Sequence, residues 1–427
     1  MKLKRVIFGK VSIKWAMLLW IICFGSGFVL VALFTNQVHQ AWFRYDYWQS
    51  MARFGESLRV ANTRYVDANI SSFENLTNHA IDGMVNSLDR HSAYYSYEEY
   101  KSFLEDTHRR YVGIGVMIRK IETGIVVTGV FPKSPAEKVG IQLGDFVLEV
   151  NGNTVEQMSL ETVSSRIRGP KNTTVQLKIQ KGSGLKFKHT ITRQKIEISS
   201  ISEFSLDDDG IGYIHLRQFT ERTAKEFRST IEYFLSEDVQ GMILDLRDNG
   251  GGLLSAAVEV ARIFLNKDQV IVSIRGRSNL VEQIFQSEEI GLASDMPMVI
   301  LVNASSASAS EIVAGALMTT DRAKVIGERS FGKGSVQTIF PLSGETGLRL
   351  TTSMYFLPNG STIHEKGIEP DYPIICNDAN KTRLRIQGYG KSDFNKTKMI
   401  SLFGFEPVED TQLIKAHEVL QEIIREQ

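Results

Sequence analysis

The pattern of hydrophobic and polar positions begins with an imbalance. Lys2, Lys4, Arg5, Lys10 and Lys14 crowd the start of the chain, and residues 15–34 then run without a charge. About twenty apolar residues at 1.5 Å rise cross a hydrocarbon core of roughly 30 Å, and a basic flank stays cytoplasmic. The pattern predicts a single membrane anchor over residues 1–35, with the rest of the chain on the far side. A cleaved signal would have a shorter apolar region and a small-x-small site, whereas this run ends VALFTNQV. Residues 36–105 carry aromatics and charges at helical spacing. Phe73, Leu76, Ile81, Met84, Val85 and Leu88 form a stripe near i, i+3, i+4, which predicts two or three helices.

Over residues 106–195 the period shortens. VGIGVMI, GIVVTGVF, FVLEVNGN, TVQLKIQ and KHTITR read as short strands separated by turns. SPAEKVG reads as a brief helix between them, with Ser134 as N-cap, Pro135 at the first position and Gly140 ending it. LETVSSRIRG is a second helix. The prediction is a small β-rich domain with two helices. Over residues 196–375 apolar strands (GIGYIHL, GMILDL, MVILVN, KVIGE) alternate with helical stretches (TAKEFRSTIEYFL, LLSAAVEVARIFL, SEIVAGALMTT), the signature of an α/β domain with a buried sheet. Residues 376–427 are polar and end in an amphipathic helix near TQLIKAHEVLQEII.

Composition narrows the function classes. A chain of 427 residues holds two or three domains. Its 49 basic and 49 acidic residues cancel, so nothing points to nucleic acid as a partner. Two cysteines, Cys23 and Cys376, make neither a disulfide framework nor a metal cluster. H-E-x-x-H and G-x-S-x-G are both absent. No metal or organic cofactor is called for.

Three segments could carry chemistry. In NASSASASEIVAGAL, residues 303–317, a buried strand runs through small residues into a helix. A serine there could project its hydroxyl beside helix N–H groups, or simply cap the helix. In DLRDNGGGLL, residues 245–254, a strand ends in three glycines, which suit an oxyanion hole or anion nest as well as an ordinary turn. The third segment, GERSFGKGS, residues 327–335, looks like a phosphate loop, but Gly334 stands where Ser or Thr would bind magnesium. SVQTIFPL then alternates like a strand rather than continuing as a helix, and Glu328 would put a carboxylate among phosphates. Lys333 is therefore either a solvated lysine or, if burial keeps its amine neutral, a general base for a serine hydroxyl.

Taken together, these segments resemble the carboxyl-terminal processing proteases, membrane-associated serine peptidases with a PDZ domain inserted before the catalytic core. The likeness covers roughly residues 70–375. It implies a multidomain α/β protein: an N-terminal transmembrane helix, a helical lead-in (NSLDRHSAYYS), a small β-rich PDZ domain and an α/β core of the ClpP/crotonase type. SASASEIVAGAL matches the nucleophile segment at Ser308. FGKGSVQTIFPL matches the lysine segment, with Lys333 as base and Gln337 as the residue that orients it. DLRDNGGGLL resembles the oxyanion segment, implying donors at the Gly252 and Ala309 amides. On a strand, Lys333 and Gln337 would share a face. YVGIGVMI then implies a carboxylate-binding loop at Gly113, Ile114, Gly115 and Val116, against which a peptide adds as a strand. Arg168 matches an arginine that links peptide occupancy to catalysis in some relatives. Arg90 replaces the family's frequent proline, and Asp248 and Gly250 replace the commoner asparagine and proline. The implied activity is endopeptidase action on proteins with free C-termini, from an inner-membrane anchor on the periplasmic side. Self-association is left open, and an inactive peptide-binding scaffold is the competing reading.

Overall fold

The computed structural model describes residues 45–109, 112–121, 123–196, 199–388, 400 and 405–426. The anchor expected over residues 1–35 lies outside them. Among the described residues no helix is long and apolar enough to cross a membrane. The chain divides into two compact units, meeting between Leu88 and Asp89.

In the first unit, helices α1 (Tyr45–Arg64) and α2 (Phe73–Asn86) pack on each other. α2 starts at Ser72, whose hydroxyl accepts from the Asn75 amide at 3.2 Å. Val85 is buried, whereas Phe73, Met84 and Leu88 of the predicted stripe are exposed.

The second unit opens with strand β1 (Ala93–Tyr95) and helix α3 (Tyr97–Arg109), the third helix where two or three were expected. A β domain follows. β2 (Val112–Gly113), β3 (Val116–Ile121), β4 (Gly124–Val130), β5 (Phe146–Val150), β6 (Asn153–Thr154), β7 (Thr174–Gln180), β8 (Lys186–Thr192) and β9 (Gln194–Lys195) form an antiparallel sheet ordered β3-β4-β5-β7-β8. β6 pairs with β5, and β2 pairs separately with β9. The two predicted helices are α4 (Pro135–Lys138), with Ser134 accepting from the Glu137 amide at 3.2 Å, and α5 (Leu160–Ile167), with Ser159 capping Thr162 at 3.2 Å. Each hydroxyl satisfies an amide that the first helical turn leaves open.

The α/β region contains β10 (Ile201–Leu206), β11 (Ile211–Leu216), helix α6 (Thr223–Ser236), β12 (Gly241–Asp245), α7 (Leu254–Arg262), β13 (Val270–Arg275), β14 (Val281–Gln286), β15 (Met298–Val302) and α8 (Ala309–Thr319). β16 (Lys324–Gly327), β17 (Ser335–Leu342), β18 (Thr346–Phe356), β19 (Tyr372–Pro373), α9 (Asp378–Gly388) and α10 (Thr411–Glu426) complete it. Its main sheet is ordered β10-β11-β12-β15-β16-β19, parallel except for β10. Because side chains alternate along a strand, one sequence run feeds two cores. Met242, Leu244, Met298, Ile300 and Val302 face α6, α7 and α8, while Ile243, Val299 and Leu301 face Ala416, Val419 and Leu420 of α10. The amphipathic C-terminal helix is thus the back layer of the sheet. A second sheet, β1-β18-β13-β14 with β17 on β18, carries the strand that follows Lys333.

Candidate active site

β12, β15 and β16 are adjacent and parallel, so the loops after them emerge along one edge. They are the glycine turn, the serine turn and the lysine loop. Such an edge is where open α/β sheets place ligands.

Ser308 is the N-cap of α8 and is half-buried, with φ 58° and ψ −112°. A non-glycine residue held there costs of order 1–3 kcal/mol and persists only if its surroundings over-determine it. They do. The Asn249 carbonyl accepts the Ala307 amide at 3.0 Å and the Ser310 hydroxyl at 2.8 Å, on either side of Ser308. The Ser306 hydroxyl donates to the Leu246 carbonyl at 2.8 Å.

The glycine turn lies against this strained residue. Gly251 has φ +96°, and a Cβ on it would stand 2.6 Å from the Ala307 oxygen and 2.9 Å from the Ser308 Cβ. Gly252 has φ +144° and bridges Phe219. The flanking Gly251 carbonyl and Leu253 amide both bond the Phe219 backbone at 3.0 Å, so the Gly252 amide faces the other way. The Ala309 amide, first in its helix, has no acceptor within that helix. Gly252 and Ala309 therefore sit on the two segments that meet at Ser308.

Lys333 is half-buried in the loop before β17, not on the strand, so the one-face relation to Gln337 does not arise. Gln337 instead donates to Ser335 Oγ at 2.8 Å and Thr351 Oγ1 at 3.3 Å. The phosphate-loop resemblance ends here too. Gly332, at φ +88°, turns the chain tightly past residues 365–367, and the next element is a strand.

What joins the lysine loop to the serine turn is Glu311, which is fully buried. Its Oε2 accepts the Ser308 amide at 2.8 Å and the Lys333 amide at 2.9 Å, while its Oε1 accepts the Gly332 amide at 2.7 Å and the Ser330 hydroxyl. Sequence reasoning missed Glu311, although S-A-S-E at residues 308–311 is the S-x-x-E of a capping box. It also missed Asn249, whose side chain donates to the Leu216 carbonyl at 2.7 Å and accepts the Gly251 amide at 2.9 Å. Only its place in the glycine segment could have signalled it.

A third contributor is the lead-in, residues 89–95. β1 pairs with β18, Arg349 donates to the His91 carbonyl at 2.8 Å, and the Thr351 amide donates to Ser92 Oγ at 3.1 Å. Arg90 stands over the Phe331 ring at 5.4 Å. Burial, then the positive charge of Arg90, hold the His91 imidazole below its ordinary range. Burial pushes the Asp89 carboxyl up, but bonds from the His91 and Ser92 amides and the Ser92 hydroxyl hold it lower overall.

In the β domain, Gly113, Ile114, Gly115, Val116 and Arg168 all line one groove of about 490 Å³. The Ile114 carbonyl accepts the Ala136 amide and the Gly115 carbonyl accepts the Phe131 amide, both at 2.9 Å. Across a trans peptide the next N–H points oppositely, so the Gly115 and Val116 amides turn outward beside the free edge of β3. Gly115 has φ +82°, and a Cβ there would meet Ser134 Cβ at 2.3 Å. Among the described residues no group of His, Cys, Asp or Glu is arranged to hold a metal ion.

Comparison with known proteins adds the family. Residues 210–374 match peptidase family S41 and residues 102–180 match the PDZ domain. The chain is 35% identical to the carboxy-terminal-processing protease of Bartonella bacilliformis, over 88% of this chain and 89% of that one. It is 40% identical to a "probable CtpA-like serine protease" of Staphylococcus haemolyticus, over 70% of this chain and 60% of that one. The photosystem II D1 C-terminal processing protease is 30% identical in structural superposition, with a TM-score of 0.48, covering 75% of this chain and 92% of that one. With more than a third of positions shared along nearly all of both chains, this protein is a serine peptidase of family S41 and belongs to the carboxy-terminal-processing proteases.

Proposed function

We propose that the protein is a membrane-anchored endopeptidase that captures free C-termini in the β-domain groove and cleaves by a Ser308–Lys333 dyad. The observation that carries this reading is the shared carboxylate. The amides of Ser308 and Lys333 bond the same oxygen of Glu311, which keeps the two segments within one side chain's reach. In this mechanism the neutral Lys333 amine takes the Ser308 proton as the hydroxyl oxygen attacks the peptide carbonyl. The resulting oxyanion accepts from the Gly252 and Ala309 amides, donors each worth about 10²–10³ in rate. The lysine ammonium protonates the leaving amine, and the amine then activates water to hydrolyse the acyl-enzyme. Gln337, tied to Ser335 and Thr351, braces the first residues of the strand that follows the lysine loop.

The groove supports the substrate class: two outward amides, an edge strand and apolar walls suit an extended chain end with a terminal carboxylate. The charge-free run at residues 15–34 supports an anchor with the catalytic part outside the cytoplasm.

The decisive test uses an unstructured protein substrate with an apolar C-terminus. Ser308→Ala is expected to abolish cleavage while binding the C-terminal peptide with unchanged Kd. Lys333→Arg, which keeps a charge but cannot deprotonate, is expected to be equally inactive. Turnover at the wild-type rate by either variant would end the dyad assignment. For the anchor, the full chain is expected to stay with membranes after carbonate washing and the chain from residue 36 to be released. Release of both would refute it.

A further inference from the structure

Glu311 does more than a helix cap requires. The helix itself asks for one bond, from the side chain three residues in back to the N-cap amide, and the 2.8 Å contact with the Ser308 amide supplies it. The same carboxylate takes three further donors, all from the lysine loop: the Ser330 hydroxyl, the Gly332 amide and the Lys333 amide. The left-handed turn at Gly332 is what points two successive amides at the two oxygens of one carboxylate. Ser330 is fixed from its far side, since its hydroxyl accepts the Ile368 amide at 2.6 Å. Other ties keep the loop attached without setting its last step. The Phe331 amide donates to the Ser306 carbonyl at 3.0 Å, and the Glu365 amide donates to the Gly332 carbonyl at 2.9 Å. Among the described residues, only the bonds to Glu311 act on the amides of Gly332 and Lys333 themselves while also holding Ser308.

We propose that Glu311 is the positioning residue of the reaction, the buried clamp that sets the Lys333 backbone against the Ser308 turn. The proposal rests on the reading of Ser308 and Lys333 as the reacting pair. It goes beyond that reading in assigning their mutual placement to one carboxylate that touches neither substrate nor the reacting atoms. The residue type follows from the geometry. Four donors converge on two oxygens, and only a carboxylate presents acceptors on both sides. An amide would turn N–H groups toward one of the two donor pairs. Aspartate is a methylene short of spanning both segments. A misplacement near 1 Å of a catalytic group can cost about 10²-fold in rate, which sets the size of the effect expected.

The test compares Glu311→Gln with wild type on a peptide ending in an apolar residue and a free carboxylate. Hydrogen exchange is read in parallel over residues 329–335. The variant is expected to lose about 100-fold in kcat with KM within threefold. Exchange across 329–335 is expected to quicken at least tenfold, while β12 and β15 keep their protection. A kcat within threefold of wild type, a loss carried by KM, or unchanged exchange in the lysine loop would each overturn the proposal. Should Glu311→Gln not fold, Ser330→Ala removes a single donor from outside the helix. There a kcat about tenfold lower at constant KM, with faster loop exchange, supports the clamp, and no change in either overturns it. Turnover surviving in Ser308→Ala would overturn the reacting pair instead. The exchange result separates that failure from failure of the clamp, because it reads the loop and not the chemistry.

Discussion

Asn249 and Gly251 show how little room Ser308, the proposed nucleophile, is given. Asn249 is completely buried, and through its side chain and its carbonyl it bonds β11, the glycine turn and both flanks of Ser308. Gly251 fills the remaining space, with the Ser308 Cβ where a methyl group would have to go. Gly251→Ala therefore has two faults, a side chain at φ +96° and a clash with backbone that the Asn249 bonds do not let move. Its turnover is expected to fall at least 100-fold, with peptide binding in the groove unchanged. Gly250→Ala is the control: it has open space around its Cβ position and no positive φ, and near wild-type kcat is expected. Equal activity of the two variants would show that the close approach at Gly251 does not govern the site. The serine, the glycines and the lysine were legible as residue types in their segments. Asn249 and Glu311 were less so, because each acts through bonds to residues roughly 20 to 60 positions away that no local pattern records.

At the scale of elements, a buried ion cluster fixes the C-terminal helix to the end of β12. Asp245 closes that strand, and Arg247 bonds Asp245 at 2.6 Å and Asp410, just before α10, at 2.8 Å. Tyr213 donates to Asp245 at 2.8 Å, and burial together with the Asp245 charge pushes its phenol far above its ordinary range. Burial alone would raise the Asp245 carboxyl, but the charges of Arg247 and His215 and the Arg247 bonds outweigh it and bring it down to about 2. A depressed carboxylate stabilises the fold above its unfolded value, near 3.9, and that contribution is lost as pH falls through the folded one. Wild-type stability is therefore expected to drop between about pH 4 and pH 2. Asp245→Asn should remove much of that dependence at the cost of about 3 kcal/mol near neutrality, since Arg247 keeps Asp410. Urea unfolding at several pH values measures both, and an unchanged acid slope in the variant would refute the assignment. The buried strands were readable because both their faces are covered and their sequences are continuously apolar. β17 was readable from its alternation and α10 from its amphipathic period, but β13 and β14 were not picked out. Neither the pairing of Ser273 on β13 with the distant Phe356 on β18 nor the seat of α10 against Ile243, Val299 and Leu301 is recorded by any local pattern.

Over the whole molecule, the groove and the Ser308 turn are built on separate cores, the first centred on Ile125, Val127 and Ile179, the second on the main sheet. They are linked by strand ends: Arg217, which follows β11, lies 3.6 Å from Met117 Sδ on β3 beside the groove. If the groove recruits chain ends and the sheet edge cuts them, damage to one should appear in a different kinetic constant from damage to the other. Gly115→Val tests this. Its φ of +82° and a Cβ position 2.3 Å from that of Ser134 leave no strained but intact alternative for the loop. The substitution acts where the Gly115 and Val116 amides turn outward, and the Ile125 core beneath stays in place. The expected result is at least a tenfold rise in KM for substrates with an apolar C-terminus and a Kd weakened to match, with kcat and fluorophosphonate labelling of the reactive serine kept within threefold. A fall in labelling at saturating substrate would mean that the groove governs the state of the site rather than only its supply of chain ends, and recruitment alone would no longer describe the enzyme.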